Sequence, residues 1–368
     1  MRIVYSANSF EHIYHLRYEV VQVLQNLSDE LILLAATDEY QQKLENMGFT
    51  TLSINIDKNG SNPFRDTLLT INYFLTYKKI SPNLIFHSTI KPNIYGSLAS
   101  RILKLRTINN ISGLGTIYFS NILIKIIGYG LYKISQKKVY KILFQNEEDL
   151  NLFVEKKICF RNQAILIPGS GVNTNKFKNE EKKSKEIFSF AFIGRLVKKK
   201  GILEFIQSSK KIYHDLPHSE FLIIGSFNKK NKDSIKEKDF FNLIKGYDRI
   251  KYLGHQENIK DILKLIDCVV LPSHREGMSN ILMEACSMEI PIIASDVPGC
   301  KEIIINGYNG YTFNYKKISS ISKSMKKMFN LSNEERNQMG IAGRNLMIKK
   351  FSRENVLNVY KKLVLNND

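Results

Sequence analysis

Short apolar runs alternate with stretches of helical spacing along nearly the whole chain, and this rhythm constrains the fold most strongly. Runs such as Leu31–Ala35 and Cys268–Leu271 are continuously apolar, which is typical of strands buried on both faces of a parallel sheet. The segments between such runs have the spacing of the crossover helices that parallel strands require. The pattern therefore predicts an α/β protein built from doubly wound parallel sheets.

The length of 368 residues suits two α/β domains of ordinary size. The alternation starts afresh after a Pro/Gly/Ser stretch, Pro168–Asn173, which is followed by a charged segment at 175–186. We interpret this region as a linker. The predicted divisions are a first domain at 1–173, a second domain at 174–350 and a closing helical segment at 351–368.

The composition restricts the class of protein and its compartment. A hydrophobic fraction of 43% excludes a disordered chain, and a net charge of +19 favours acidic partners such as nucleic acid, anionic membrane or phosphorylated substrates. The four cysteines show no C-x-x-C spacing, as expected of a reduced protein. We find no signal-peptide core and no run of about 18 uninterrupted apolar residues. These features predict a cytoplasmic protein without a spanning helix.

The stretch LPSHREGMSNILMEA at 271–285 carries the most chemistry. It predicts a strand end, a polar loop and a helix that begins near Ser279 or Asn280, whose free N–H groups and dipole suit an anion. Glu276 in the loop would bind sugar hydroxyls, and Glu284, about two turns into the helix, could reach a ribose. A solvated loop with an ordinary amphipathic helix is an equal alternative from these residues alone.

Several motifs together resemble the family 4 retaining glycosyltransferases. Glu276-x7-Glu284 with PIIASDVPGCKEII and NGYNGYTF is similar to the donor-site signature of that family, and FIGRLVKKKGI at 192–202 is similar to its Gly-Arg-Leu…Lys-Gly motif. The stretch KPNIYGSLASRILKLRTINNISGLG at 91–115 resembles the subgroup that builds bacterial surface polysaccharides on undecaprenyl diphosphate. The resemblance implies the GT-B fold: two Rossmann-like domains facing a cleft, an acceptor-binding first domain, a nucleotide-sugar-binding second domain and a C-terminal helix that returns to the first.

The resemblance implies a catalytic set of Glu276, Arg195 and Lys200. Arg195 can bind a diphosphate with two parallel hydrogen bonds and Lys200 adds a compact charge, so both would stabilise the departing UDP. Backbone N–H groups at 277–279 would face the diphosphate or sugar, and the segment 255–257 the uracil. The predicted donor-binding residues are Gly194, Gly277, Met278, Ser279, Asn280, Glu284, His255 and Gln256.

The acceptor side is predicted at the carboxyl ends of strands in the first domain, where loops gather in doubly wound sheets. We assign Ser9, His87, Lys91 and Asn93 to it. The first loop, 6–12, lacks the glycines that related enzymes often carry there. Lys91 is equally well interpreted as a surface lysine, and His87 more often as a strand-end histidine.

We predict that the reaction needs no metal or other cofactor. There is no D-x-D triplet, and the histidines do not cluster with carboxylates at the spacing of metal ligands. In the resembled fold, protein cations and a helix N-terminus replace the metal. The resemblance also suggests a front-face mechanism in which the leaving phosphate helps to deprotonate the acceptor hydroxyl.

The most apolar window, Ile117–Ile134, is broken by Lys125 and Lys133 and followed by two more lysines. Such a helix suits the interface of an anionic membrane, so we predict a peripheral contact through 117–138. A core-facing helix of the first domain is an equal alternative. The expected location is the inner face of the bacterial plasma membrane.

The sequence therefore predicts a retaining transferase that moves a sugar from a UDP-sugar to an undecaprenyl-diphosphate-linked glycan, in O-antigen, capsule or related surface polysaccharide synthesis. The expected donors are UDP-GalNAc and UDP-GlcNAc. A UDP-N-acetylglucosamine 2-epimerase of the same architecture is the rival, although it needs acid/base carboxylates and histidines that we cannot place. A nucleic-acid partner is not expected, because no basic patch with interleaved aromatics occurs.

Overall fold

The computed structural model describes residues 1–57, 62–179, 186–228, 231 and 233–365. The chain divides into two compact units, one formed by Met1–Ser170 with Glu354–Asp368 and the other by Gly171–Arg353. The sequence placed the boundary slightly later, after residue 173. Residues 180–185 of the predicted linker and residues 366–368 of the predicted closing segment lie outside the described residues.

The first unit contains a parallel sheet with seven strands among the described residues. These are β1 (Arg2–Ser9), β2 (Glu30–Ala36), β3 (Thr50–Ser53), β4 (Leu84–Ser88), β5 (Arg106–Ile111), β6 (Lys141–Phe144) and β7 (Ala164–Leu166). Their spatial order is β3-β2-β1-β4-β5-β6-β7, and all neighbours run parallel. The strand order reverses between β1 and β4, which is the switch point where doubly wound sheets bind ligands.

The helices of this part of the chain are α1 (Phe10–Leu16), α2 (Tyr18–Asn26), α3 (Tyr40–Asn46), α4 (Pro63–Ile80), α5 (Ser97–Ile102), α6 (Gly115–Tyr118), α7 (Ile122–Gln136) and α8 (Glu147–Glu155). A π-helical turn at Pro92–Gly96 precedes α5. The predicted single helix at Ile117–Ile134 is in fact split, because Asn121 caps α7 by accepting a hydrogen bond from the Ile124 N–H.

The predicted loop at 6–12 is wrong, since β1 continues to Ser9 and α1 begins at the next residue. Ser6 stays in the strand because its hydroxyl is satisfied there, 2.9 Å from the Tyr73 hydroxyl. Buried polar groups with partners are tolerated inside a sheet. A polar composition was therefore a poor guide to the strand end.

The second unit repeats the architecture with six strands among its described residues. They are β8 (Phe188–Ile193), β9 (Ser219–Ile224), β10 (Ile250–Gly254), β11 (Cys268–Leu271), β12 (Ile292–Ser295) and β13 (Gly310–Phe313), in the parallel order β10-β9-β8-β11-β12-β13. The helices are α9 (Ile202–Ile212), α10 (Glu237–Ile244), α11 (Ile259–Leu263), α12 (Asn280–Ser287), α13 (Ile318–Phe329) and α14 (Asn333–Leu346). Residues 298–303, between β12 and β13, form turns.

The C-terminal helix, Arg353–Leu365, packs into the core of the first unit. Tyr360 is buried there, with its ring 5.5 Å from that of Phe86 and its hydroxyl accepting a hydrogen bond from Asn110. The predicted return of the last helix to the first domain is confirmed. Among the described residues, no helix has the length and apolarity needed to cross a bilayer.

Candidate active site

Two loops of the second unit carry the predicted catalytic residues and lie side by side. The first follows β8 and runs through Arg195 and the short 3₁₀ turn Lys198–Lys200 into α9; the second joins β11 to α12 and holds Glu276. Because β8 and β11 are hydrogen-bonded parallel neighbours, their carboxyl ends bring both loops to one edge of the sheet.

Gly201 explains why these loops can touch. Its φ of +80° is left-handed, and a Cβ at this position would lie 1.9 Å from the carbonyl oxygen of Pro272. The backbone is tied at the same point, since the His274 N–H and the Ser273 hydroxyl both donate to the Lys199 carbonyl, at 2.9 and 3.2 Å. The lysine-rich turn is therefore fixed against the loop that carries Glu276.

Lys200 and Glu276 form an ion pair across this contact. The Lys200 Nζ lies 2.7 and 2.8 Å from the two carboxylate oxygens of Glu276, and the side chains are only 25% and 10% exposed. The sequence predicted both residues as catalytic but assigned them to different groups of the donor. The structure brings them into direct contact, so that the charge of each offsets that of the other.

A third loop supports Glu276 from behind. Gly299 has a φ of +78°, and a Cβ there would lie 2.6 Å from the backbone carbon of Glu276. The Glu276 N–H donates to the Pro298 carbonyl at 3.0 Å, while the Gly299 N–H donates to Glu302 Oε2 at 2.7 Å. Sequence reasoning gave these supporting residues no role, although the VPGCKE segment lay inside the recognised signature.

The start of α12 differs from prediction at Ser279. Its backbone N–H donates to the Gly299 carbonyl at 2.9 Å, so it is not open to a ligand as predicted. Its buried hydroxyl has no hydrogen-bond partner among the described residues, although Ser279 occupies the N-cap position. The Met278 side chain packs against the core, while Gly277 and Asn280 are half-buried beside it.

Glu284 lies on α12, and its carboxyl group has no hydrogen bond or ion pair with the rest of the described chain. Burial of the carboxyl group raises the pKa of Glu284 to about 7, against the opposing effect of Lys176 and Arg353. The sequence did not identify these two cations. A half-buried carboxyl group without a protein partner is suited to hydroxyl groups of a ligand, as predicted for a ribose.

The remaining donor-side residues lie along the same strand edge. Arg195 is exposed, and its guanidinium has no partner within the described residues. A Cβ on Gly225 would lie 1.8 Å from the Gly194 carbonyl oxygen, so the turns after β8 and β9 are closely packed. His255 is exposed and Gln256 donates to the Leu253 carbonyl at 2.7 Å. The strand order places both after β10, on the far side of β8 from Glu276.

The predicted acceptor-side residues are mostly buried in the first unit. His87 is 1% exposed; its Nε2 lies 2.7 Å from the Tyr77 hydroxyl and its Nδ1 2.9 Å from Asn109 Oδ1. Burial lowers the pKa of His87 to about 4, although the Asn109 hydrogen bond raises it. The prediction that His87 faces an acceptor is not supported by this geometry, because both ring nitrogens are already engaged. The alternative of a structural strand-end histidine fits.

Lys91 and Asn93 also have internal partners. Lys91 Nζ lies 2.6 Å from Asp66 Oδ1, and the Asn93 amide donates to the Asn110 carbonyl at 2.8 Å. Ser9 caps α1 by accepting a hydrogen bond from the His12 N–H at 3.1 Å. Lys91 is therefore not an exposed surface lysine. Asp66 and Asn110, which are distant in sequence, enclose the side chains of Lys91 and Asn93.

No group of three or more metal-ligating side chains occurs within the part of the chain that the structure describes. Independence from metal remains a prediction, since the nucleotide-sugar itself could carry a cation.

Comparison with known proteins agrees with the fold. Residues 2–146 match the model for "Glycosyl transferase 4-like" domains, and residues 172–346 match that for "Glycosyl transferases group 1". The N,N'-diacetylbacillosaminyl-diphospho-undecaprenol alpha-1,3-N-acetylgalactosaminyltransferase of Campylobacter jejuni is 27% identical over 88% of both chains. The capsular polysaccharide biosynthesis glycosyltransferase CapM of Staphylococcus aureus is 29% identical over 78% of both. The crystal structure of Anabaena HepE with UDP superposes with a TM-score of 0.80 at 14% identity over 99% of both chains.

Two parallel-sheet units and these matches define a glycosyltransferase of the GT-B fold. The chain belongs to the family 4 glycosyltransferases, in the branch that serves bacterial polysaccharide synthesis. The predicted family and fold are confirmed, and the epimerase alternative is not favoured.

Proposed function

We propose that this enzyme transfers an N-acetylhexosamine, with retention of configuration, from a UDP-sugar to an undecaprenyl-diphosphate-linked glycan of a bacterial surface polysaccharide. The C. jejuni relative is named for a transfer of N-acetylgalactosamine to such a lipid-linked acceptor, and the HepE structure contains UDP. The observation that carries the proposal is the sheltered Lys200–Glu276 pair, in which Lys200 shares a loop with the exposed Arg195 and Glu276 precedes the N-terminus of α12.

This arrangement suits a diphosphate leaving group. Arg195 has no internal partner among the described residues and can turn its five donors toward the phosphates, while Lys200 is held by Glu276 at a fixed position. Negative charge grows on the departing oxygen as the glycosyl bond breaks, so fixed cations favour the transition state over the ground state. Glu276 would bind a sugar hydroxyl with the lone pairs that Lys200 leaves open.

The same geometry supplies positive charge without a divalent cation. The α12 N-terminus adds the partial positive charge of its dipole to the two side-chain cations. We therefore expect activity in EDTA. For retention, the proton of the acceptor hydroxyl would pass to the departing phosphate oxygen on the same face of the sugar.

A membrane contact through 117–138 is part of the proposal. Ile122, Leu123, Ile126 and Ile127 are each more than 60% exposed, which favours the interfacial alternative over a core-facing helix. Lysines follow on the same helix and suit anionic lipid. An acceptor anchored in the bilayer would require such a position at the inner face of the plasma membrane.

The proposal is tested by UDP release from the purified protein in EDTA, across a panel of UDP-sugars with a synthetic undecaprenyl-diphosphate-linked acceptor. We expect release that depends on the acceptor and on one N-acetylhexosamine donor, and its loss in Glu276→Ala. Release that is independent of every acceptor, or equal in the variant, would contradict the proposed acceptor or the role of Glu276. Interconversion of UDP-sugars without transfer would indicate an epimerase.

A further inference from the structure

The outward face of α7 changes character along its length. Positions three and four apart on this face are apolar in the first half, where Leu123, Ile126 and Ile127 are exposed. In the second half the same face carries Lys133 and Lys137, both exposed. At about 1.5 Å per residue, the 15-residue helix spans about 22 Å, which is comparable to the depth of a lipid headgroup and the upper acyl region together.

A pocket of about 800 Å³ opens at the lysine end of this face. Its cationic lining comes from three separate parts of the first unit: Arg101, Lys133, Lys137, Lys157 and Arg161. The remaining lining residues are apolar: Ile134, Val154, Ile158, Cys159 and Phe160. No carboxylate lines the pocket, and none of the five cations forms an ion pair with another described residue. All five cations are exposed, and five like charges around an apolar floor create a positive potential that attracts an anion.

The topology places this pocket at the amino edge of the sheet. The ends of α5, α7 and α8 supply its lining, and each of these helices is followed directly by the next strand, β5, β6 or β7. Acceptors in doubly wound sheets bind at the opposite, carboxyl edge. The pocket is therefore poorly placed for the diphosphate of the acceptor, and it lies at the opposite end of α7 from the exposed apolar residues of the first half.

We propose that this pocket binds the phosphate headgroup of an anionic bilayer phospholipid, whose acyl chains lie along the apolar half of α7. The inference deepens the membrane contact of the proposed function and rests on it. The protein would then bind one headgroup at a defined site, in place of a diffuse attraction to a charged surface. The charge of the five cations and the volume of the pocket suit the phosphate headgroup, and the exposed apolar surface of α7 suits the acyl chains.

Two double variants separate a defined pocket from diffuse attraction. The pocket variant, Lys137→Gln with Lys157→Gln, removes two charges that line the pocket. The neighbour variant, Lys138→Gln with Lys156→Gln, removes two exposed charges that are adjacent in sequence but do not line the pocket. Binding is measured by co-sedimentation of the full chain with vesicles of phosphatidylcholine alone or with an equal part of phosphatidylglycerol. We expect the pocket variant to bind the anionic vesicles about tenfold more weakly and the neighbour variant about twofold.

Equal weakening of both variants would overturn the pocket in favour of diffuse attraction, and so would unchanged binding of the pocket variant. UDP release with detergent-dispersed acceptor, without phosphatidylglycerol, forms the second arm. It should be the same in the pocket variant and the wild type; a selective loss there would assign the pocket to the acceptor diphosphate and overturn the bilayer lipid. If the wild type releases no UDP while the vesicle result stands, the transferase proposal fails and the lipid site does not.

Discussion

Each unit contains a sheltered lysine–carboxylate pair, and the two pairs differ in what surrounds them. In the first unit, Lys91 and Asp66 approach to 2.6 Å, each with a side chain 11% exposed, and the second Asp66 oxygen accepts from the Tyr95 hydroxyl at 2.8 Å. In the second unit, both Glu276 oxygens contact only Lys200 among the hydrogen bonds described.

The difference lies in how the pairs are connected to the fold. Asp66 lies on α4 and Lys91 precedes the π-helical turn, so the first pair joins two packed elements, and both Asp66 oxygens already have partners. Lys200 and Glu276 lie on loops at adjoining strand ends, with the backbone held by Gly201 and Gly299. Breaking an enclosed pair leaves a buried charge without its partner and destabilises the domain, whereas we expect a pair between two loops at the strand ends to interact with a ligand.

The largest effect is expected from breaking the first pair. Lys91→Met leaves Asp66 buried without its cation, which should lower the free energy of unfolding by about 3–5 kcal/mol. Urea unfolding followed by circular dichroism measures the change. Activity per folded molecule should persist. A further Asp66→Leu change should recover much of the lost stability, because it removes the unpaired charge. Normal stability with lost activity would return Lys91 to the acceptor site that the sequence predicted.

Breaking the second pair should affect activity more than stability. Glu276→Gln keeps the shape of the side chain but removes the charge that fixes Lys200, and we expect kcat/KM for UDP release to fall about 100-fold. Lys199 lies on the same turn as Lys200 and pairs with Asp233 at 2.6 Å. Because this pair is exposed, it offers a matched control. Asp233→Asn should change kcat/KM by less than about twofold, because exposed pairs contribute little. Equal losses in both variants would indicate a general electrostatic effect.

The contrast also marks what a sequence can and cannot predict. The two sheets followed from the apolar runs, because their central strands, such as β4 and β11, are buried on both faces and the pattern of such a strand is local. The residues of the donor loops were identified through motifs. The contact between Lys200 and Glu276 was not, since it joins positions 76 residues apart and depends on β8 lying next to β11.

The acceptor-side assignments stay predictions, and the sequence did not reveal that these residues are enclosed, for a related reason. Lys91, Asn93 and His87 are polar residues after a strand, which is how an open site looks in sequence. Their partners, Asp66, Asn110 and Asn109, come from other elements, and only the fold shows that they are enclosed. Burial of a polar residue depends on partners that no local pattern reveals.

His87, the buried histidine of the first unit, should make the stability of the protein depend on pH. The folded-state pKa of His87, about 4, lies below its ordinary value of 6.5, so the unfolded chain binds a proton between these values and the folded chain does not. Stability should therefore fall as pH falls from 6.5 to 4, by about 3 kcal/mol from this residue. His87→Gln should show a shallower pH dependence in urea unfolding. The pKa of His12 is also lowered, to about 3, so the difference between wild type and variant isolates His87. Identical pH profiles would show that His87 is accessible to protons, as an acceptor-site histidine would be.

Glu284 is the corresponding titratable group of the second unit. Here we expect pH to change ligand binding more than stability. With its pKa at about 7, this carboxyl group is about half ionised near neutral pH. An ionised carboxylate accepts hydrogen bonds from two ribose hydroxyls, whereas the protonated acid accepts fewer. UDP affinity should therefore rise about threefold as pH rises from 6 to 8, a difference of about 0.7 kcal/mol measured by isothermal titration calorimetry.

Glu284→Gln is the control for that measurement, because the phosphate of UDP titrates identically with both proteins. The variant should bind UDP more weakly than the wild type at pH 8 and should lack the additional rise in affinity. A wild-type profile that matches the variant would mean that Glu284 does not contact the ribose. Its raised pKa would then reflect burial beside Lys176 and Arg353 alone, and the unpaired carboxyl group of the second unit would be as structural as His87 in the first.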